Sequence, residues 1–189
     1  MNSNQSTTQQ TRIKIYIDGA NFYHGLQSLN KRYVDFNFDF TKFARIYSTG
    51  RIIQGISYYI APYPRQKSEK MFQKQRIFFD RLKNDNVRVV KSIVNSESGK
   101  IKGDDIQIAI DMLDDAVRDV FDTGILVSGD GDFYPLARKI HEWKKAIELW
   151  YFEGQTATRL ITACDAVKII TRSMVRRCDE SKHPSGMKK

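Results

Sequence analysis

The 189-residue chain carries 31 lysine and arginine residues against 22 aspartate and glutamate residues, a formal net charge of +9. With 41% hydrophobic and 12% aromatic residues, its composition indicates about one folded domain and excludes a wholly disordered chain. No apolar stretch approaches the roughly 20 residues of a membrane-spanning helix, so we expect no membrane partner. The basic charge is compatible with a polyanionic partner, although charge alone would equally serve solubility.

The uncharged start of the chain lacks the apolar core of a signal peptide. Cys164 and Cys178 form no CxxC or Cys/His metal pattern, so we expect free thiols and a cytoplasmic protein. Residues 1–11 are predicted to be a disordered tail, residues 12–172 one domain, and residues 173–189 a basic C-terminal tail.

Strand-like runs alternate with helix-like patterns along the predicted domain. In chain order the predictions are a strand at 13–17, helices at 21–30 and 40–47, a strand at 52–60, a helix at 67–83, a strand at 87–90, a helix at 104–121, a strand at 125–127, a helix at 134–143, a strand at 147–151, a helical stretch at 156–164 and a strand at 167–170. This alternation favours an α/β fold with a mostly parallel central sheet covered on both faces.

The helix at 104–121 has the strongest amphipathic pattern. Its predicted buried stripe consists of Ile106, Ala109, Ile110, Leu113, Val117 and Val120. At about 100° per residue, Asp105 lies at the edge of this stripe and is expected to point inward, whereas Asp104 and Asp111 fall on the opposite side. Asp104 lies in the first turn and is an additional candidate for the same site.

Aspartates follow two of the predicted strands. Asp18 ends the first strand, and Asp130 and Asp132 follow the strand at 125–127. Because ligands bind at the carboxyl ends of parallel strands, we expect these aspartates and Asp105 to meet at one edge of the sheet. A single aspartate in such a place is often only a helix cap or a turn residue. Several together repel one another unless a cation neutralises them, and oxygen ligands suit Mg²⁺ or Mn²⁺.

Three segments resemble the NYN domain family, especially its LabA-like branch: IYIDGANFYHGL, KGDDIQIAIDML and LVSGDGDFYPLARKI. The resemblance covers roughly residues 12–170 and implies a three-layer α/β/α PIN-like (Rossmann-like) domain and a metal-dependent ribonuclease. Catalytic roles are implied for Asp18, Asn21, Asp105, Asp130 and Asp132. Metal ligation is implied for those four aspartates, with Asp104 as an additional candidate, although the family usually has an apolar residue there. Asp111 matches a recurrent acidic position of the family. It and the Ser128 hydroxyl are expected to contact the metal ligands rather than the metal.

A basic and aromatic stretch could hold a polyanion. Tyr58, Tyr59 and Tyr63 precede a run of basic side chains, and such a mixture can neutralise phosphates and stack bases, although a solvated helix face would look the same. The candidate nucleic-acid-binding residues are Arg65, Lys67, Lys70, Lys74, Arg76, Lys102 and Arg138.

These patterns predict a metal-dependent endoribonuclease. RNA is preferred to DNA as partner because of the family resemblance alone, so a DNA nuclease stays open. An RNA-binding adaptor with little activity is the other alternative, and a homo-oligomer is also left open.

Overall fold

A computed structural model describes residues 10–92, 103–154 and 158–181. The segment 95–100, which the sequence predicts to be a loop, lies outside these residues, as do Lys102, residues 1–9 and residues 182–189. The strands are β1 Arg12–Asp18, β2 Ile52–Ile60, β3 Val87–Lys91, β4 Thr123–Val127, β5 Ala146–Tyr151 and β6 Ala166–Ile169. The helices are α1 Gly19–Leu29, α2 Phe40–Tyr47, α3 Glu69–Asn84, α4 Asp104–Val117, α5 Tyr134–Glu142, α6 Thr158–Ala163 and α7 Arg172–Cys178. Short 3-10 turns occur at Asp35–Asn37 and Gly131–Phe133.

The strands form one six-stranded sheet in the order β3-β2-β1-β4-β5-β6, and every neighbouring pair is parallel. The predicted α/β class is therefore confirmed, with a sheet that is wholly parallel. The order reverses between β1 and β4, which is where parallel sheets of this kind open a crevice for ligands. The ends of β1 and β4 thus lie side by side, although they are far apart in the sequence.

Two apolar clusters cover the two faces of the sheet. One includes side chains of α1, α2, α3 and α7, and its centre is aromatic, with the Phe22 ring 5.0 Å from Phe38, 5.2 Å from Phe40 and 5.5 Å from Phe152. The other joins side chains of α4, α5 and α6. These clusters establish the three-layer α/β/α architecture that the resemblance implied.

The buried face of α4 differs from the prediction. The buried residues are Ile108, Met112 and Ala116, whereas Ile106 and Ile110 of the predicted stripe are 66% and 54% exposed. Polar contacts with the sheet explain the difference. They are Tyr59 Oη to Asp111 at 2.9 Å, Tyr16 Oη to Asp115 at 2.7 Å, and an ion pair of Lys14 with Asp115. The predicted outward position of Asp111 is therefore wrong.

The predicted C-terminal tail begins inside a helix. Val175 and Cys178 of α7 are buried in the aromatic cluster, and the Cys178 carbonyl accepts a hydrogen bond from the Asp39 amide at 2.9 Å. The arginines between them hide this short apolar pattern in the sequence. No helix in the described part of the chain has the length and apolar character needed to cross a membrane.

Candidate active site

Asp18 lies at the centre of the candidate site, at the end of β1. It is 6% exposed, and its carboxylate accepts hydrogen bonds from the Asn21 amide at 3.0 Å and the Ser128 hydroxyl at 2.9 Å. The first bond caps the N-terminus of α1, because an aspartate side chain can satisfy a free amide there. The second joins β1 to β4 and sets the orientation of the carboxylate.

The loop after β4 is held to α1 by side-chain bonds. Asn21 Oδ1 accepts a hydrogen bond from the Gly129 amide at 2.8 Å, and Ser128 Oγ accepts one from the Asp130 amide at 3.1 Å. Asp130 Oδ1 in turn accepts the Asp132 amide at 2.8 Å, which forms the turn after Asp130. Asn21 and Ser128 therefore tie the two strand ends into one rigid rim.

The N-terminus of α4 provides the other acidic wall. Gly103 precedes it with φ of 115°, a conformation that favours glycine. A cavity of about 490 Å³ has polar lining residues from β1, α1, α4 and the β4 loop: Asp18, Asn21, His24, Asp104, Asp105 and Asp130. The structure thus brings together the predicted residues Asp18, Asn21, Asp105 and Asp130 and the additional candidate Asp104.

Three carboxyl groups of this cavity, those of Asp18, Asp104 and Asp105, have raised pKa values. Burial raises the pKa of Asp18, and the charges of Asp104 and Asp130 add to the effect. Partial burial, followed by the charges of Asp18, Asp130 and Asp132, raises the pKa of Asp105 to about 6. Burial and the Asp105 charge also raise the pKa of Asp104. The arrangement therefore favours a positive charge among these oxygens.

Asp132 and Asp111 do not line the cavity. The Asp132 side chain is 85% exposed, and its nearest basic group is Arg159 Nη2 at 3.5 Å. Asp111 is held by Tyr59 Oη, by Gln107 Nε2 at 2.6 Å and by Arg88 Nη1 at 2.9 Å, so it braces α4 against the sheet. Asp132 acts on the cavity through its charge on Asp105 alone.

The predicted basic residues are spread over the surface rather than gathered at the cavity. Arg65 pairs with Glu69 at 2.5 Å. Lys74 lines a different hollow, which shares no lining residue with the acidic cavity. The remaining described candidates are exposed: Lys67, Lys70, Arg76 and Arg138. Tyr58 and Tyr59 are 0% and 1% exposed, so the expectation that they stack on bases is wrong.

Two residues outside the predicted site lie beside the acidic rim: His24, for which the sequence favoured a surface or packing role over substrate contact, and Arg159. His24 lines the cavity one turn after Asn21 on α1, and this helical spacing was a usable signal. Arg159, on α6, lies beside Asp132, with its guanidinium 5.9 Å from the centre of the Tyr134 ring. No sequence pattern connects Arg159 to the site, because α6 approaches it only through the tertiary fold.

The cavity suits a hydrated divalent cation better than a fully caged one. Across residues 10–92, 103–154 and 158–181, no three His, Cys, Asp or Glu side chains form a ready-made metal site. Mg²⁺ nevertheless keeps several of its waters and commonly takes one or two carboxylates from a protein. A buried oxygen of Asp104 also has no hydrogen-bond donor among the described residues. The carboxylate oxygens of Asp18, Asp104, Asp105 and Asp130 are hard donors of the kind that Mg²⁺ or Mn²⁺ accepts, so these four residues could hold such a cation together with its waters.

Replacing Asp105 with asparagine is expected to stabilise the metal-free protein near neutral pH. Asp105 loses its carboxyl proton near pH 4 in the unfolded chain and near pH 6 in the folded chain. The native protein therefore becomes less stable as the pH rises between these values, and the loss of stability is complete above about pH 6. The gain in stability from the Asp105→Asn substitution should be modest, because the side chain is only partly buried and solvent screens its charge. Thermal unfolding in EDTA checks it: the variant should melt higher at about pH 7 and equal the native protein at about pH 4.

The matched control is Asp114→Asn, which changes an exposed aspartate paired with Arg118 on the same helix. An equal gain in melting temperature for the control would mean that general charge, rather than the acidic cavity, is responsible.

The fold and the acidic crevice place the chain in a recognisable class. A three-layer α/β/α fold with a wholly parallel sheet, and with aspartates where the strand order reverses between β1 and β4, is consistent with a PIN-like nuclease domain. The NYN domain family matches residues 12–171, and the chain belongs to that family. The family prediction is confirmed, while the LabA-like branch stays a prediction.

A solved structure of similar fold supports the architecture. A protein of unknown function, VPA0982 from Vibrio parahaemolyticus RIMD 2210633, is 26% identical to this chain. The match covers 91% of this chain and 98% of that chain, with a TM-score of 0.70. No curated protein matches the chain.

Proposed function

We propose that this protein is a metal-dependent endoribonuclease that hydrolyses RNA phosphodiester bonds. The observation that supports it most is the cavity in which Asp18, Asp104, Asp105 and Asp130 meet at the β1/β4 reversal. Membership of a PIN-like nuclease family agrees with this chemistry. RNA is preferred to DNA on the family resemblance, and the free thiols Cys164 and Cys178 are consistent with a cytoplasmic location.

The chain's own groups would orient the reactants. A bound Mg²⁺ or Mn²⁺ would supply an activated water and offset the charge on the phosphate. Asp18, held by Ser128 and the Asn21 amide, offers its carboxylate in a fixed direction. Asp104 and Asp105, at the N-terminus of α4, would add carboxylate oxygens from the opposite wall of the cavity. His24 lines the same cavity, where it can contact a bound RNA strand.

The purified protein is expected to cut labelled RNA internally with Mg²⁺ or Mn²⁺ and to stop when EDTA is added. Products should carry 5′-phosphates, because in-line attack by water expels the 3′-oxygen. Gel analysis of RNA and of DNA of the same sequence, with and without phosphatase treatment, checks both statements.

Three results would change the proposal. Cleavage that continues in EDTA would remove the metal from it. Equal cutting of DNA would make the protein a general nuclease. Binding without cleavage in every metal would favour an RNA-binding adaptor.

A further inference from the structure

A second hollow of about 530 Å³ opens directly from the acidic cavity. Both spaces are lined by Ala20, His24 and Asp104, so a chemical group bound in one space lies next to a group bound in the other. The walls of the second hollow are apolar and aromatic, and its lining includes Tyr23, Phe36, Tyr63 and Met71. We call it the α1–α3 groove, because Tyr23 comes from α1 and Met71 from α3. Tyr23 and Met71 are each 36% exposed, so both side chains are accessible from the groove.

One lining residue of the groove is polar and buried. Asp35 is 2% exposed, and one of its oxygens accepts a hydrogen bond from the Tyr58 hydroxyl at 2.5 Å. The other oxygen has no donor in the described part of the chain. A buried acceptor without a donor is unfavourable, so it favours a ligand that brings an N–H group.

The wall formed by residues 61–63 is held firmly. Gln75 is 8% exposed, accepts the Tyr63 amide at 2.6 Å and donates to the Ala61 carbonyl at 3.1 Å. Both ends of its amide are therefore used within the protein. The groove is a preformed feature rather than a gap between loosely placed side chains.

The groove continues away from the acidic cavity towards basic residues. A third hollow of about 410 Å³ shares Tyr23, Phe36 and Met71 with it and includes Lys74 and Arg81. Arg81 is fixed by its bond to the Phe38 carbonyl at 3.0 Å, whereas Lys74 is exposed. A path therefore runs from carboxylates, past an aromatic wall, to cations. Aromatic surfaces combined with positive charge are typical of grooves that bind single-stranded nucleic acids.

We propose that the α1–α3 groove binds the unpaired base of the nucleotide next to the phosphate held at the acidic cavity, so that the substrate is single-stranded there. This inference rests on the proposed function, because it assumes a phosphodiester at the acidic cavity. A base matches the groove in chemistry: it is flat and largely apolar on its faces, it carries N–H groups on its edge, and a short link joins it to a phosphate. A paired base cannot enter, because its hydrogen-bonding edge is already occupied.

The experiment measures binding separately from cleavage. In an Asp18→Asn background with Mg²⁺, fluorescence anisotropy compares a short single-stranded RNA, the same strand with abasic residues, and the matching duplex. Adding Tyr23→Ala should weaken binding of the normal strand on the order of tenfold, as expected for the loss of one stacked base. It should leave binding of the abasic strand unchanged, since that strand has no base to stack.

The matched control is Trp143→Ala, which removes an exposed aromatic side chain at the C-terminal end of α5 and should change no affinity. If Tyr23→Ala weakens the abasic strand as much as the normal one, or weakens neither, the base-binding inference is overturned. The same holds if the duplex binds as tightly as the single strand and is equally sensitive to Tyr23→Ala.

The outcomes separate this inference from the proposed function. If the native protein cleaves RNA but its binding depends on neither Tyr23 nor the base, the proposed hydrolysis is supported and the base-binding site is contradicted. A Tyr23 effect that requires the base, in a protein that cleaves nothing in any metal, would remove the hydrolysis and support the groove as a base-binding site.

Discussion

Asp18→Asn is expected to lower the rate of RNA cleavage at least about a hundredfold, because even residues that merely support metal ligands typically contribute 10- to 100-fold. The substitution removes a charge and little else. Asparagine is also a good N-cap, so it can still accept the Asn21 amide at the start of α1. Its amide group can donate to Ser128 Oγ, where the aspartate accepted a hydrogen bond from that hydroxyl. Single-turnover cleavage with saturating enzyme measures the change in the chemical step.

Asp111→Asn provides the sharpest comparison for Asp18→Asn. Asp111 is a half-buried aspartate that contacts Tyr59 and Arg88 but does not line the acidic cavity. Its replacement should leave the cleavage rate within a few-fold of the native value, with any loss appearing in stability. Equal losses for both substitutions would mean that Asp111 supports the ligands after all, as the family resemblance implied. Unchanged cleavage by Asp18→Asn would place the chemistry elsewhere in the protein.

Gly25→Ala is expected to destabilise the fold by about 3 kcal/mol, the upper range for an overpacked core. Gly25 is buried inside α1, and a Cβ there would stand 2.0 Å from the Phe152 ring. Alanine in a helix normally stabilises it by up to about 1 kcal/mol relative to glycine, so the sign of the effect comes from this contact. Since α1 also carries Asn21, Tyr23 and His24, any shift of the helix should reduce cleavage as well. Urea unfolding measures the free energy.

A second substitution tests the cause of the Gly25→Ala effect. Phe152→Leu removes ring atoms from the place that the new methyl group needs, so the double variant should lose less stability than the sum of the two single variants. Gly55→Ala is the matched glycine control, because the nearest atom to its new Cβ would be Lys14 Cε at 3.9 Å. Additive losses in the double variant, or a Gly25→Ala protein as stable as Gly55→Ala, would contradict the packing argument.

The acidic rim could be predicted because it depends on a simple rule. Runs of apolar residues locate β1 and β4, and parallel strands place their carboxyl ends at one edge. Asp18 and Asp130 therefore follow from position alone, and the structure brings both to one cavity. Asp132 shares the same short loop, but its side chain turns to solvent, and no residue pattern distinguishes these two directions.

The face of α4 was mispredicted for a physical reason. Apolar residues occur on two sides of this helix, and periodicity selected the set containing Ile106 and Ile110. The sheet beneath α4 carries the tyrosine hydroxyls of Tyr16 and Tyr59, which hydrogen-bond to Asp115 and Asp111. Those partners come from β1 and β2, so the choice between the two faces depends on tertiary contacts that a helical wheel does not contain.

The α1–α3 groove could not be predicted for a related reason. Tyr23, Asp35, Tyr63 and Met71 belong to four different segments. Each segment has an ordinary local explanation, as a helix, a turn or a loop. Their proximity arises only when α1 and α3 pack on the same face of the sheet, around the cluster that includes Phe22 and Phe78.

The bond between Ser128 and Asp18 spans 110 positions of the chain. β1 leaves the ribosome before its partner β4, which ends at Val127. Until that later strand has emerged and paired, Asp18 lacks its neighbours Ser128 and Asp130. A growing polypeptide therefore cannot assemble the acidic cavity until Asp130 has been translated and β4 has paired with β1.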